Sequence, residues 1–217
     1  LTAADKEIFR FLNADKSIKS TLTYQKLMYR AQSVAKTILS NTHVNDRVLL
    51  CYPPGLEVIE AIIGCQMAGR IPVPLPMPKS PDSISNMNHV KKNSGASCIL
   101  VLGAHKERLK EKYKEHWTWI VHPAQEESQS GEYPNIESKS TAFLQYTSGS
   151  TGRPKGVAVE RCALLAYAEA NAIAHGIGPR SRVLLTSAVS FDPCIGEAWT
   201  ALVAGATEDV KGPIHAR

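Results

Sequence analysis

The stretch between Leu144 and Val157 has the composition of a loop that binds phosphate groups. Its candidate ligand-binding residues are four hydroxyl-bearing side chains, two glycines and one lysine, namely Thr147, Ser148, Gly149, Ser150, Thr151, Gly152 and Lys155. Glycine lets backbone amides approach a ligand closely, and successive N–H groups in such a turn form a concave site for an anion. Lysine adds a mobile positive charge. These residue types therefore predict a polyphosphate site.

The spacing differs from that of a Walker loop, in which four residues separate the first glycine from Gly-Lys-Ser/Thr and a helix follows. Here the lysine is followed by Gly156 and by Val157-Ala158-Val159, a run typical of a strand. We therefore expect the loop to join two strands and to move as a flap. The alternative interpretation is a solvated Ser/Gly/Thr linker, because this composition is common in flexible connectors.

This stretch closely resembles the phosphate-binding signature of the adenylate-forming superfamily, which includes acyl-CoA synthetases, fatty acyl-AMP ligases and the adenylation domains of non-ribosomal peptide synthetases. Residues 46–55 and 68–74 resemble the early strand–helix–strand part of the same enzymes. Together with the Leu144-Gln145-Tyr146 lead-in, they look most like fatty acyl-AMP ligases. The resemblance therefore implies the adenylate-forming fold and its chemistry.

The segment from Ser190 to Trp199 resembles the fourth core motif of peptide-synthetase adenylation domains. There the aspartate of a Phe-Asp pair, which is Asp192 in this chain, binds the α-ammonium group of an amino acid. A buried carboxylate needs such a cationic partner. The alternative is that Asp192 caps a helix with Pro193 at its first position. The resemblance thus leaves an amino acid and a fatty acid both open as the substrate.

The implied reaction is attack of a substrate carboxylate on the α-phosphate of ATP, which gives an acyl-adenylate and pyrophosphate. Residues 147–152 would hold the β- and γ-phosphates, and Lys155 would neutralise charge as pyrophosphate leaves. Mg²⁺ would bridge the phosphates, and no protein ligand is assigned to it. The expected cofactors are therefore ATP and Mg²⁺, and a carrier protein or CoA is the candidate acyl acceptor.

Two other hypotheses stay open. The first hypothesis is a non-catalytic interaction module that has kept the adenylation fold. The second is a nucleotide-dependent phosphotransferase outside this superfamily. The second would require an acidic metal cluster, which the sequence does not display. Replacing Lys155 and measuring ATP affinity separates the enzyme from the module.

The candidate site lies within a chain in which apolar runs alternate with amphipathic segments. Strands are predicted at residues 18–22, 48–51, 97–102, 117–121 and 182–186. Helices are predicted at residues 23–39 with Thr23 as N-cap, and at 56–67, 82–92, 104–114, 162–174 and 194–203. The proline-rich run at residues 71–76 is extended, and we expect an edge strand there, with polyproline-type peptide recognition as the alternative.

Alternating strands and helices predict an α/β fold, an open, mostly parallel sheet with helices on both faces. The resemblance makes this the first subdomain of the adenylate-forming fold. We expect residues 1–217 to be a partial N-terminal adenylation domain, residues 123–140 to be an exposed connector, and the C-terminal part of the family fold to be absent. The polar run Glu208–Pro213 stands where the family continues with an apolar strand. Such a chain should bind ATP weakly and release little pyrophosphate.

The composition excludes several other classes of protein. The 217 residues are 43% hydrophobic and 21% charged, as in globular domains, and no apolar run approaches the roughly 18 residues of a membrane span. The net charge of +5 is spread among acidic residues, which argues against nucleic-acid binding. The cysteines are odd in number, far apart and surrounded by apolar residues: Cys51, Cys65, Cys98, Cys162 and Cys194. They predict buried reduced thiols and a cytoplasmic location.

Overall fold

The computed structural model describes residues 3–96, 98–113, 117–124, 132–148, 153–185, 187 and 192–211. Within them, the strands are β1 (Glu7–Leu12), β2 (Ile18–Thr23), β3 (Arg47–Tyr52), β4 (Ile71–Pro76), β5 (Cys98–Val101), β6 (Thr118–Val121), β7 (Thr141–Ser148), β8 (Pro154–Glu160), β9 (Arg182–Leu185) and β10 (Thr207–Lys211). The α-helices are α1 (Tyr24–Leu39), α2 (Glu57–Met67), α3 (Pro81–Ser94), α4 (Gly103–Lys112), α5 (Arg161–Ala174) and α6 (Asp192–Val203).

The predicted α/β class is confirmed, and the described strands are divided among three sheets. One sheet has the order β4-β3-β5-β6 and is parallel throughout. A second has the order β2-β1-β10-β9, in which only the β1–β2 pair is antiparallel. Strands β7 and β8 form an antiparallel hairpin. The sequence predicted mostly parallel pairing but not this division.

The parallel sheet is buried on both faces, as its continuous apolar strands require. Along β3, Leu50 and its even-numbered neighbours pack in a cluster with α1 and α2, whereas Leu49 and Cys51 pack in a second cluster with α3 and α4. Helices α1 and α2 approach closely at Gly64, where an added Cβ would lie 2.6 Å from Cγ1 of Val34. Helices on both faces of this sheet are thus confirmed.

The predicted cap of α1 is confirmed, and the described ends of the other helices lie within two residues of the predicted ones. The Thr23 side chain accepts a hydrogen bond of 3.2 Å from the Lys26 amide and caps α1. Gly95 follows α3 with a φ of 67°, in the left-handed region that glycine adopts without strain. The expected edge strand is β4, whose sheet neighbour is β3. Ser97, Lys114 and Thr186, at the ends of predicted elements, lie outside the described residues.

Two features of the second sheet differ from the sequence-based expectation. Strand β1 was not predicted, although Phe9 within it is fully buried. The described part of the polar run at Glu208 forms a strand, β10, which lies between β1 and β9. The negative charge of Asp209 is tolerated in this strand partly because Asp209 forms an ion pair with Arg182, with 2.5 Å between Oδ2 and Nη2. Backbone pairing on both sides outweighs the unfavourable composition of this strand.

The cysteine prediction is confirmed for four residues and wrong for one. Cys162 is exposed, while the other thiols are buried and all five are free. Cys162 lies in the first turn of α5. Among the described residues, no helix is long and apolar enough to cross a membrane. Of the predicted connector, residues 123–124 and 132–140 are described, and Pro134 packs against Gly69.

A buried polar network joins the helices to the carboxyl ends of β3 and β6. Glu60 accepts a 2.9 Å hydrogen bond from Nη1 of Arg30 and a 3.1 Å bond from Nε2 of His122. The other ring nitrogen of His122 lies 2.8 Å from the Tyr52 hydroxyl. Because Nε2 must carry the proton to donate to a carboxylate, Nδ1 accepts from Tyr52. Burial raises the pKa of Tyr52, so this hydroxyl keeps its proton.

Candidate functional site

The predicted phosphate loop connects the two strands of the β7–β8 hairpin. Pairing continues up to the loop, with Ser148 opposite Pro154 and Thr147 opposite Lys155. The prediction that the loop joins two strands is therefore confirmed. Gly149, Ser150, Thr151 and Gly152 lie outside the described residues, as does the side chain of Ser148.

The register places Thr147 and Lys155 on the same face of the hairpin, directly across from each other. Side chains of directly opposed residues in antiparallel strands have Cβ atoms about 4.5–5.5 Å apart. Thr147 is partly buried and Lys155 is exposed. A hydroxyl side chain and a lysine side chain thus flank the start and the end of the loop on one face of the hairpin.

Helix α3 anchors the opposite face of the hairpin. The Tyr146 hydroxyl donates a 2.7 Å hydrogen bond to Oδ1 of Asn93. Nε2 of His89 lies 3.0 Å from the Pro154 carbonyl oxygen, and it must donate because a carbonyl only accepts. Gly156 leaves room for Tyr146, since an added Cβ would lie 2.8 Å from its ring. The strand that carries Lys155 is therefore fixed on both sides of the lysine.

Sequence reasoning missed this anchoring function of α3. His89 and Asn93 are two polar residues in a helix that is polar over most of its length, and nothing in their spacing marks them. Tyr146 belongs to the recognised stretch, but an aromatic residue there could equally be core. Only the packing of α3 on the hairpin distinguishes them.

The base of the hairpin is tied to α2. Nη2 of Arg161 donates a 2.8 Å hydrogen bond to the carbonyl oxygen of Gln66. The Gln66 side chain in turn donates a 3.1 Å bond to the carbonyl oxygen of Ala142. Burial lowers the pKa of Arg161, although the guanidinium group remains charged. These bonds hold the hairpin and the start of α5 against the first sheet.

Asp192 is the first residue of α6, and its side chain lies outside the described residues. Both interpretations of this aspartate, a substrate partner or a helix cap, place it at a helix start, so the choice between them stays open. Within the described ranges, no group of three or more His, Cys, Asp or Glu side chains could hold a metal ion.

Comparisons with known proteins match most of the chain. The family described as AMP-binding enzyme matches residues 2–212. The chain is 35% identical over 164 residues to the medium-chain-fatty-acid–[acyl-carrier-protein] ligase JamA of Moorena producens, which covers 70% of this chain. It is 32% identical over 186 residues, 85% of its length, to a component of the linear gramicidin synthase of Brevibacillus parabrevis.

A solved structure of a similar enzyme has the same fold. The fatty acyl-adenylate ligase from Legionella pneumophila, in complex with acyl adenylate and pyrophosphate, superposes on 96% of this chain with a TM-score of 0.85 and 29% identity. The chain covers 37% of that ligase. It spans 28% of the JamA ligase and 2% of the gramicidin synthase component.

Proposed function

This chain belongs to the AMP-binding enzyme family, and on that premise we propose that it serves ATP-dependent activation of a carboxylic acid to an acyl-adenylate, with release of pyrophosphate. The Legionella relative was solved with acyl adenylate and pyrophosphate, which are the two products of this reaction. The JamA relative is named as a ligase of medium-chain fatty acids. Both support a fatty acid as the substrate, while the gramicidin synthase relative keeps an amino acid open.

One observation carries the proposal: Lys155 lies opposite Thr147 where the loop begins and ends. We assign the β- and γ-phosphates to residues 147–152, and to Lys155 the role of neutralising the charge that develops on pyrophosphate. The contacts with α3 hold the strand that carries Lys155, so only the lysine side chain has to move to reach the developing charge. Asp192 is assigned to the substrate-binding side of the same site.

Magnesium fits this site only as an ion carried with the nucleotide. The described residues offer no carboxylate cluster for it. Mg²⁺ commonly binds through substrate phosphates and retained waters with few protein ligands. Bound there, it would neutralise phosphate charge, while the loop hydroxyls and Lys155 orient the triphosphate.

The proposed acyl acceptor is based on the same comparison, and the proposed location is based on the cysteines. We propose a carrier protein as the acceptor, because the JamA relative is named for an acyl-carrier protein, with CoA as the alternative.

Four of the five free thiols are buried, as in proteins kept in a reducing compartment, and this favours the cytoplasm.

The test is a calorimetric titration of the chain with ATP and Mg²⁺, before and after Lys155→Ala. A hydrogen bond to a charged group contributes about 1.5–3 kcal/mol, so affinity should fall about ten- to hundredfold. Lys112→Ala, at the exposed end of α4, is the matched control and should leave affinity unchanged. Equal affinity in all three proteins would favour the non-catalytic module. Calorimetric titration of the same protein with a panel of fatty acids and amino acids then identifies the acid.

A further inference from the structure

A cavity of about 530 Å³ lies along the C-terminal half of α3. Its described lining residues are Asn88, His89, Lys91, Lys92, Gly95 and Ala96. The volume falls within the range of small-molecule sites. Ala96, shortly before β5, is buried, whereas Lys92 and Gly95 are exposed. The cavity, called the α3 cavity below, is therefore open to solvent and lies near the amino-terminal end of β5.

The α3 cavity has a positively charged lining. Lys91 and Lys92 contribute ammonium groups, His89 contributes an imidazole, and none of the described lining residues is acidic. Residues three or four apart on a helix are neighbours, with about 5–6 Å between their Cβ atoms. Asn88 has this spacing to both lysines, so the three polar groups can reach one ligand together. A tetrahedral oxyanion fits this arrangement better than a carboxylate, because it offers an oxygen to each donor.

Three of the lining side chains are held in position by their surroundings. Nε2 of His89 donates a 3.0 Å hydrogen bond to the Pro154 carbonyl oxygen, which leaves Nδ1 for a ligand. The Lys91 ammonium lies 4.3 Å from the centre of the Trp117 ring. Oδ1 of Asn88 is buried and has no hydrogen-bond partner among the described residues, so the amide N–H groups are the end that a ligand can reach. Such preorganised donors bind a ligand at a lower entropic cost.

Lysines in the last turn of a helix can also serve only to offset the negative end of the helix dipole. In α3 the terminal carbonyl groups already have a cationic partner, Arg47. Nε of Arg47 donates a 2.7 Å hydrogen bond to the Ser94 carbonyl oxygen, and Nη2 donates a 3.3 Å bond to that of Gly95. Lys92 is therefore not needed to satisfy the end of the helix and is available to a ligand.

We propose that the α3 cavity binds a small phosphate-bearing anion, either free inorganic phosphate or a phosphate monoester. Its oxygens accept hydrogen bonds from Asn88, Lys91 and Lys92. His89 is a further donor when its ring carries both protons. The cavity is separate from the proposed phosphate loop, because the Thr147–Lys155 pair lies on the other face of the hairpin from α3.

The experiment measures binding of inorganic phosphate and of glycerol 3-phosphate by calorimetry at constant ionic strength. The titrations use the Lys155→Ala protein, so that the proposed phosphate loop contributes little. Adding Lys92→Glu should weaken binding at least about tenfold, because a hydrogen bond to a charged group is lost and a repelling carboxylate is gained. Lys92→Arg should keep most of the affinity, since the guanidinium group retains the charge and the donors.

Lys36→Glu is the matched control. Lys36 is an exposed lysine in the last turn of α1, and α1 packs on the opposite face of the first sheet from α3. The substitution makes the same change in net charge as Lys92→Glu. Salt screens exposed charges that are more than about 10 Å apart at 0.1 M ionic strength, so phosphate affinity should stay unchanged.

The ligand that binds shows whether the site takes the free ion, the ester or both. Three results would overturn the inference: binding of neither ligand, an affinity that Lys92→Glu leaves unchanged, or equal losses in Lys92→Glu and Lys36→Glu. The last result would mean that net charge alone attracts the anion. None of these measurements depends on ATP binding, so the inference and the proposed function stand or fail separately.

Discussion

Among the described aspartates and glutamates, Glu208 has a strongly raised pKa. It is fully buried on β10, and within the described part of the chain neither carboxylate oxygen has a hydrogen-bond partner. Burial, and secondarily the nearby Glu197, raise the pKa of Glu208 to about 8. Glu208 is therefore mostly protonated at neutral pH, which is how an acid of this kind can occupy a strand interior.

The raised pKa predicts a loss of stability with rising pH. The unfolded chain releases this proton near pH 4.5 and the folded chain near pH 8, so between these values the folded state binds more protons. The stabilising contribution is complete below pH 4.5 and is lost as the pH rises toward 8. At about 1.4 kcal/mol per pH unit, urea denaturation should show a free energy of unfolding about 4 kcal/mol lower at pH 8 than at pH 5.

Glu208→Gln should remove this pH dependence, because the amide has the shape of the protonated acid and does not titrate. Glu107→Gln is the control, since the Glu107 side chain is 78% exposed. If the wild-type protein and Glu208→Gln lose stability equally between the two pH values, then Glu208 is not the group that titrates.

At the scale of elements, the contact between α3 and the hairpin links the fold to the proposed site. The anchoring bonds of Tyr146 and His89 lie on either side of the Thr147–Lys155 pair. Because two bonds hold one short hairpin, loss of either should loosen the strand ends that carry the loop. The geometry of the proposed phosphate site thus depends on a helix that does not contribute a loop residue.

Tyr146→Phe tests this dependence. Removal of the hydroxyl deletes the bond to Asn93, and because Asn93 is exposed, water can replace the lost partner. The free energy of unfolding should fall by about 1 kcal/mol, while ATP affinity should fall with it, as measured by calorimetry. Tyr29→Phe, which removes a solvent-exposed hydroxyl bonded to Gln25, should change neither quantity. An unchanged ATP affinity in Tyr146→Phe would show that the anchor is structural only.

At the scale of the molecule, the second sheet joins the two ends of the described chain. Phe9 on β1 lies opposite Glu208 on β10, and the Thr207 hydroxyl donates a 2.8 Å hydrogen bond to the Glu7 carbonyl oxygen. Phe9 also belongs to the main apolar cluster, together with residues of α1, α2 and α6. The N-terminal strand is thus part of the core that supports α6.

Phe9→Ala should therefore destabilise the whole molecule. Truncation of a fully buried phenylalanine costs about 3–5 kcal/mol, and the loss should appear in one cooperative urea transition followed by tryptophan fluorescence and by circular dichroism. Ile18→Ala, at a position that is 52% exposed on the neighbouring strand, should have little effect. Two separate transitions in Phe9→Ala would mean that the second sheet unfolds independently of the first.

The sequence alone determined the order and type of most elements and the position of the proposed phosphate loop. Helices such as α1 follow from local spacing and from the Thr23 cap, and buried strands such as β3 and β5 follow from short apolar runs, because both patterns lie within a few neighbouring residues. The loop was recognisable because its chemistry requires hydroxyl, glycine and lysine residues close together in the chain.

Tertiary structure alone decided which strands pair and which residues support the site. Strands β1 and β10 lie almost 200 residues apart. No local pattern can reveal that the polar segment around Glu208 pairs with β1. His89 and Asn93 acquire a role only because α3 packs on the hairpin, and Tyr167 meets Gly196 only because α5 lies beside α6. Such contacts depend on how whole elements pack against one another, and the residues next to each of them in the sequence do not predict them.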